Sequence, residues 1–112
     1  MNTTRQKRIS RLIQKEMGEI FRSEVREITM GTMVSVTTTR VSPDLSIAKI
    51  YLSIFPGDHK EEVFNKISHS ASTIRYILGQ KLGKQLRIIP ELQFFIDDSL
   101  DYIENIDRLL NT

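Results

Sequence analysis

Residues 33–55 read MVSVTTTRVSPDLSIAKIYLSIF, and this stretch limits the fold tightly. MVSVTTTRV (33–41) is β-branched and alternates in polarity, a strand by both composition and period. Ser42-Pro43-Asp44 turns the chain, and LSIAKIYLSIF (45–55) returns as a second strand. So short a connection makes the pair an antiparallel hairpin. The remaining segments have to pack around it.

Before the hairpin, residues 4–28 place Ile9, Leu12, Ile13, Met17, Ile20, Phe21, Val25 and Ile28 at three- and four-residue spacing. That is the apolar stripe of one long amphipathic helix, ended by Gly31. After the hairpin, Pro56-Gly57 breaks the strand. Asp58 with Glu61 forms a capping-box-like start for a helix. Its apolar positions, from Val63 through Ile67, Ala71, Ile74, Ile77 and Leu78 to Leu82, keep helical period to about residue 83. Midway, SHSAS (68–72) gathers residues that are neutral or poor in helices, and a kink is expected there.

The next stretch, QLRIIPELQFFIDDSL (85–100), alternates like a strand. Leu86, Ile88, Leu92, Phe94 and Ile96 take one side; Arg87, Glu91 and Gln93 take the other. Pro90 has no N–H to donate and belongs at an edge or a bulge. Last, Tyr102, Ile103, Ile106, Leu109 and Leu110 share a helical face over 99–110, with Asp97, Asp98 and Asp101 at its positive N-terminal end. The expected order is α-β-β-α-α-β plus a terminal helix. It forms an α+β domain over 1–98 with a helical extension over 99–112.

With 112 residues, the chain holds one domain with a modest core. No apolar run approaches the ~18 residues of a membrane span, and the basic N-terminus lacks the apolar stretch of a signal peptide. There is no cysteine, which removes disulfides and thiol chemistry and fits a reducing cytosol. His59 and His69 are ten residues apart and match no zinc spacing. There is no G-x-S-x-G elbow. GQKLGK (79–84) has one residue too few between its glycines for a phosphate-binding loop. Glu91 and Asp97 share a strand face but lie ~20 Å apart at the strand rise, too far to act on one bond. Neither an enzyme nor a metal or other cofactor is called for.

The charge is unevenly spread. Arg5, Lys7, Arg8, Arg11 and Lys15 occupy residues 1–15 without an acid, and Arg75, Lys81, Lys84 and Arg87 occupy residues 69–90 likewise. Residues 91–112 carry six acids against the single Arg108. Two basic stretches and an acidic tail suggest a polyanion-binding face and a face turned from it. Arg5, Arg8, Arg11 and Lys15 share one helical face and can bridge successive phosphates. Aromatics are few and mostly apolar-face candidates, so shape and backbone recognition of folded RNA is expected in place of base stacking. Surface ion pairing is the competing reading for Arg75 and Arg87.

Three segments resemble ribosome-binding factor A, a bacterial small-subunit assembly factor family. RISRLIQKEMGEIF (8–21) is similar to its basic opening helix, and VSPDLSIAKIYLSIF (41–55) to its strand signature. IRYILG (74–79) with LRIIPELQFFIDDSL (86–100) is similar to its final helix and last strand. The resemblance implies a type II KH-like fold and a cytoplasmic, non-enzymatic, monomeric protein without a membrane partner. It implies binding to the immature small ribosomal subunit, on 16S rRNA near its 5′-terminal helix and the decoding region. There it would favour late folding and terminal processing, notably in the cold. Two motifs depart from the family. Its Ala-x-Gly helix kink falls here on Ser70-Ala71-Ser72, and its Asp-Pro-Arg turn is replaced by EITMG (27–31). On this reading Arg5, Arg8, Arg11, Lys15, Arg75, Lys81, Lys84 and Arg87 contact phosphate, and Ser70 and Ser72 mark a kink facing RNA. The alternative is a protein-interaction module docking through its acidic terminal helix.

Overall fold

A computed structural model describes residues 4–97. The expected helix over 99–110, and the boundary drawn at residue 98, lie outside the described residues. Helix α1 (Thr4–Glu19) opens the domain. It passes into a wide π-type turn over Ile20–Glu24 and a short α2 (Arg26–Thr29), so the expected single helix to residue 28 is interrupted. Val25 leaves helical geometry at φ −129°, ψ 38°, yet Ile20, Phe21 and Val25 stay buried. The widened turn keeps those three apolar residues on the core while the helix changes direction. Met30 and Gly31, both at positive φ, then turn the chain into the sheet.

Strands β1 (Met33–Val41) and β2 (Ile47–Phe55) form the expected antiparallel hairpin, in register from Met33–Phe55 to Val41–Ala48. The register shifts between Val36 and Thr38, leaving Thr37 as a bulge whose hydroxyl donates to Asp97 Oδ2 at 2.6 Å. Residues 45 and 46 belong to the turn, not to β2. Asp44 Oδ1 accepts hydrogen bonds from the hydroxyls of Ser42 and Ser46, each at 2.7 Å, and from the Ser46 N–H at 3.1 Å. This network holds Leu45 at φ 63° with its side chain packed against the core.

After β2, a 3₁₀ turn (Gly57–His59) leads to α3 (Lys60–His69) and α4 (Ala71–Leu82). Asp58 sits in the 3₁₀ turn and no side chain caps α3, so the expected capping box does not form. The helices break at Ser70, φ −99° and ψ 13°, with no side-chain cap. The Ser70 N–H donates to the carbonyls of Lys66 and Ile67. The side chain that does return to the backbone is His69, whose Nδ1 lies 2.7 Å from the Asn65 carbonyl oxygen. A kink thus stands at the expected place without glycine.

Strand β3 (Glu91–Ile96) pairs parallel to β2, giving a sheet of order β1-β2-β3. The expected strand from residue 86 is shorter at its start, for a reason visible in its neighbour. β2 begins only at Ile47, opposite Glu91, so residues before Pro90 have no strand to pair with. Ile88, expected on the buried side, is 68% exposed. Helices cover one sheet face. Ile13, Met17 and Ile20 from the first segment meet Ile50 and Leu52 of β2 and Ile67, Ile74, Leu78 and Leu82 of α3 and α4. Each such buried side chain stabilises by roughly 1.5–3 kcal/mol.

Candidate nucleic-acid interface

The first turns of α1 are fixed from beneath. Gln6 is only 3% exposed, and its Nε2 donates to the Val41 carbonyl at 3.1 Å. Ile9 and Ile13 bury the same helix side. Arg5, Lys7, Arg8, Arg11 and Lys15 are consequently left in solvent. Helical spacing sets their common face; the Gln6 anchor sets what that face lies beside.

It lies beside the hairpin turn and the loop between α4 and β3. Together these three elements enclose a cleft of about 530 Å³. Arg5 and Arg8 of α1 and Arg87 of the loop line it, over a floor that includes Leu12, Leu45 and Leu86. Arg87 also lines a shallower depression with Ser72 and Arg75, and Arg8 lines another with Lys7 and Arg11. Shared walls join the three into one cationic band running from Arg11 through Arg8, Arg5 and Arg87 to Arg75. Sequence separations of up to about eighty residues collapse into that band because β3 pairs with β2.

Arg75 has a distinct position in it. Its Nε donates to the Pro90 carbonyl at 3.1 Å and its Nη2 to the Ile89 carbonyl at 2.6 Å. The guanidinium forks onto the chain just before β3, so neither an ion pair nor a free charge describes it. By tying down residues 89 and 90 it fixes the loop that presents Arg87. Among the described residues, Asp44 is the one carboxylate lining the cleft. Hydrogen bonds from the Ser42 hydroxyl, the Ser46 hydroxyl and the Ser46 N–H lower its pKa to about 2. It stays ionised, with its Oδ1 engaged within the turn.

Other expected site residues are not drawn into the band. Lys81 Nζ lies 3.5 Å from Glu24 Oε1, on the π-turn side of α4. Lys84 is exposed at the start of the loop, and Lys15 is exposed one helical turn beyond Arg11. Ser70 is half-buried at the kink. Lys7 belongs to the band, and its i, i+4 relation to Arg11 was the available signal. The aromatics divide. Phe21 and Phe94 meet edge-on in the core, but Phe55 and Phe95 point to solvent on the outer sheet face. Among the described residues no group of His, Asp or Glu could hold a metal ion, and no helix is long and apolar enough to cross a membrane.

Residues 5–110 match the sequence model of a family described as ribosome-binding factor A. The chain belongs to that family. The ribosome-binding factor A of Flavobacterium johnsoniae is 46% identical over 111 residues, spanning 98% of this chain and 85% of that one. That of Christiangramia forsetii is 45% identical over 107 residues, spanning 95% and 82%. In fold, the chain is similar to the crystal structure of ribosome-binding factor A from Thermus thermophilus. The TM-score is 0.67 at 16% identity, covering 81% of this chain and 94% of that one. Coordinates of the Thermus protein fitted into a cryo-EM map of a 30S complex give a TM-score of 0.61 at 16% identity, covering 79% and 90%. The KH-like order α-β-β-α-α-β is therefore a ribosome-binding factor A fold, and its cationic band is built from positions inside the family match.

Proposed function

We propose that this chain is a non-enzymatic assembly factor that binds the immature small ribosomal subunit in the cytoplasm and assists late folding and processing of 16S rRNA. The observation that carries this reading is the convergence of Arg5, Arg8 and Arg87 on one cleft, extended by Lys7, Arg11 and Arg75. A rigid row of cations fits the regularly spaced phosphates of folded RNA, and each neutralised phosphate releases counterions. Arg5, Lys7, Arg8, Arg11 and Arg87 contact phosphate; Arg75 positions Arg87; Ser72 lies at the rim. Lys15 and Lys84 extend the field, and Lys81 is committed to Glu24. By family resemblance the RNA is the region of the 5′-terminal helix and the decoding site. Bound as a monomer, the factor favours one RNA conformation only by the difference in its affinity for the competing ones.

Sedimentation of tagged protein with ribosomal particles at low and high salt tests this. The expected result is co-migration with free small subunits, release by salt, and weakening by Arg8→Glu combined with Arg11→Glu. Absence from small subunits at low salt would sink the reading.

A further inference from the structure

Phosphate recognition explains the arginines of the cleft and leaves its floor unexplained. Arg5, Arg8 and Arg87 line it over Leu12, Leu45 and Leu86. Ile88 lines it too and is 68% exposed, an isoleucine that the core does not use. A phosphate gains nothing from such a surface, whereas covering it contributes roughly 25 cal/mol per Å² of apolar area. The occupant that fits therefore joins an anionic part to an apolar one. A nucleotide whose base has left the helical stack has both parts. The cleft volume of about 530 Å³ lies within the roughly 300–1,000 Å³ of small-ligand sites. A duplex keeps its bases inside, so such a nucleotide comes from a loop, a bulge or a strand end. Among the described residues no aromatic side chain lines the cleft, so the base is read at its edge and not by ring stacking.

Asp44 selects the edge. A carboxylate among three arginines weakens a site meant for phosphate alone. Asp44 nevertheless lines the cleft, with no ion pair to those arginines among the described residues. Its bonds from Ser42 and Ser46 all go to Oδ1. They hold the carboxylate in place and leave Oδ2 as an acceptor. An ionised carboxylate accepts hydrogen bonds and cannot donate them. Of the RNA bases, only guanine sets two donors side by side, N1–H and N2–H₂. Its O6 and N7 form the edge that arginine meets best. Adenine and cytosine place a ring acceptor beside the amino group, and uracil flanks its single N–H with two carbonyls.

The geometry points to a pocket for one unpaired guanine nucleotide of the bound RNA. The base covers the leucines and Ile88, its N1–H and N2–H₂ donate to Asp44, and the arginines take O6, N7 and the flanking phosphates. This rests on the RNA-binding reading above and adds a base preference to it. NMR titration of the full-length protein tests it, with a short single-stranded oligouridylate carrying one central guanosine. The guanosine version should bind about tenfold more tightly than the all-uridine version and shift the amides of Leu45, Leu86 and Ile88. Inosine in the same place lacks the N2 amino group and should lose most of that gain. Asp44→Asn keeps an acceptor for Ser42 and Ser46 but turns the other atom into a donor, so the guanosine-to-uridine ratio should fall to about one. Equal affinities with those amides unmoved make the cleft a phosphate site only, which overturns the pocket and leaves the assembly-factor reading standing. Absence of co-migration with small subunits overturns both. Guanosine 5′-monophosphate giving the same shifts at the same concentration overturns the RNA source and assigns the cleft to a free nucleotide.

Discussion

Replacing Arg75 by methionine should destabilise the domain while leaving the salt dependence of RNA binding nearly unchanged. The variant keeps the aliphatic stem and removes the guanidinium that donates to the carbonyls of Ile89 and Pro90. A hydrogen bond from a charged donor contributes roughly 1.5–3 kcal/mol. One of these two is partly buried and the other exposed, so water recovers part of the second. The expected loss is about 2–3 kcal/mol in all, or on the order of 10–20 °C in melting temperature for a domain of this size. Lysine should not rescue, because one ammonium cannot reproduce the planar fork. Arg8→Met is the contrasting variant. Its melting temperature should stay near the parent's, while the slope of log affinity against log salt falls by about 0.7–0.9 for one lost phosphate contact. Circular dichroism melts, paired with anisotropy titrations of a 16S rRNA fragment over a range of salt, measure both quantities. If Arg75→Met melts with the parent and loses one unit of slope, Arg75 is a phosphate ligand and the loop-positioning argument fails.

Two glycines in the helical framework should respond oppositely to alanine. At Gly18 a Cβ would meet nothing within 4 Å, so Gly18→Ala should stabilise by about 0.5–1 kcal/mol in a urea melt. At Gly83 it would lie 2.9 Å from the Gly79 carbonyl oxygen. Gly83→Ala should therefore cost about 1–3 kcal/mol and weaken RNA binding by displacing the loop that carries Arg87. The Asp44 carboxylate should leave a mark at acid pH. Its folded pKa of about 2 lies below the ordinary 3.8, so its contribution is fully present above the ordinary value. That contribution is lost as pH falls through about 2. Asp44→Asn should flatten stability against pH over that window, and a parallel offset across all pH would contradict it.

Much of this fold was legible from residue periods. The alternation in MVSVTTTRV and the Ser42-Pro43-Asp44 turn gave the hairpin, and the three- and four-residue spacing from Val63 to Leu82 gave the helices with a kink at Ser70. The failures have physical causes that lie off the local pattern. Ile88 alternates correctly for a strand, but strand pairing needs a partner, and β2 has none to offer before Ile47. Gly83 closes α4 at φ −55°, so a side chain there would be limited by close approach to the Gly79 carbonyl oxygen, not by handedness. Within the site, helical spacing grouped Arg5, Arg8 and Arg11. It could not reveal that Arg75 spends its donors on Ile89 and Pro90, or that Lys81 turns toward Glu24, because both depend on how α4 packs against distant segments.

The parallel pairing of β3 has a consequence for the protein's own synthesis. Helix α1 emerges first and carries Arg5, Arg8 and Arg11 from the start. Arg87 reaches their side only after α3 and α4 have crossed over and residues 91–96 have found β2. The complete cleft is thus unavailable until residues 91–96 have paired with β2. Helix α1 alone displays its cations on a segment not yet anchored by the Gln6–Val41 bond. The order of elements makes the full cationic band a property of the completed sheet, since no single early segment carries both Arg8 and Arg87.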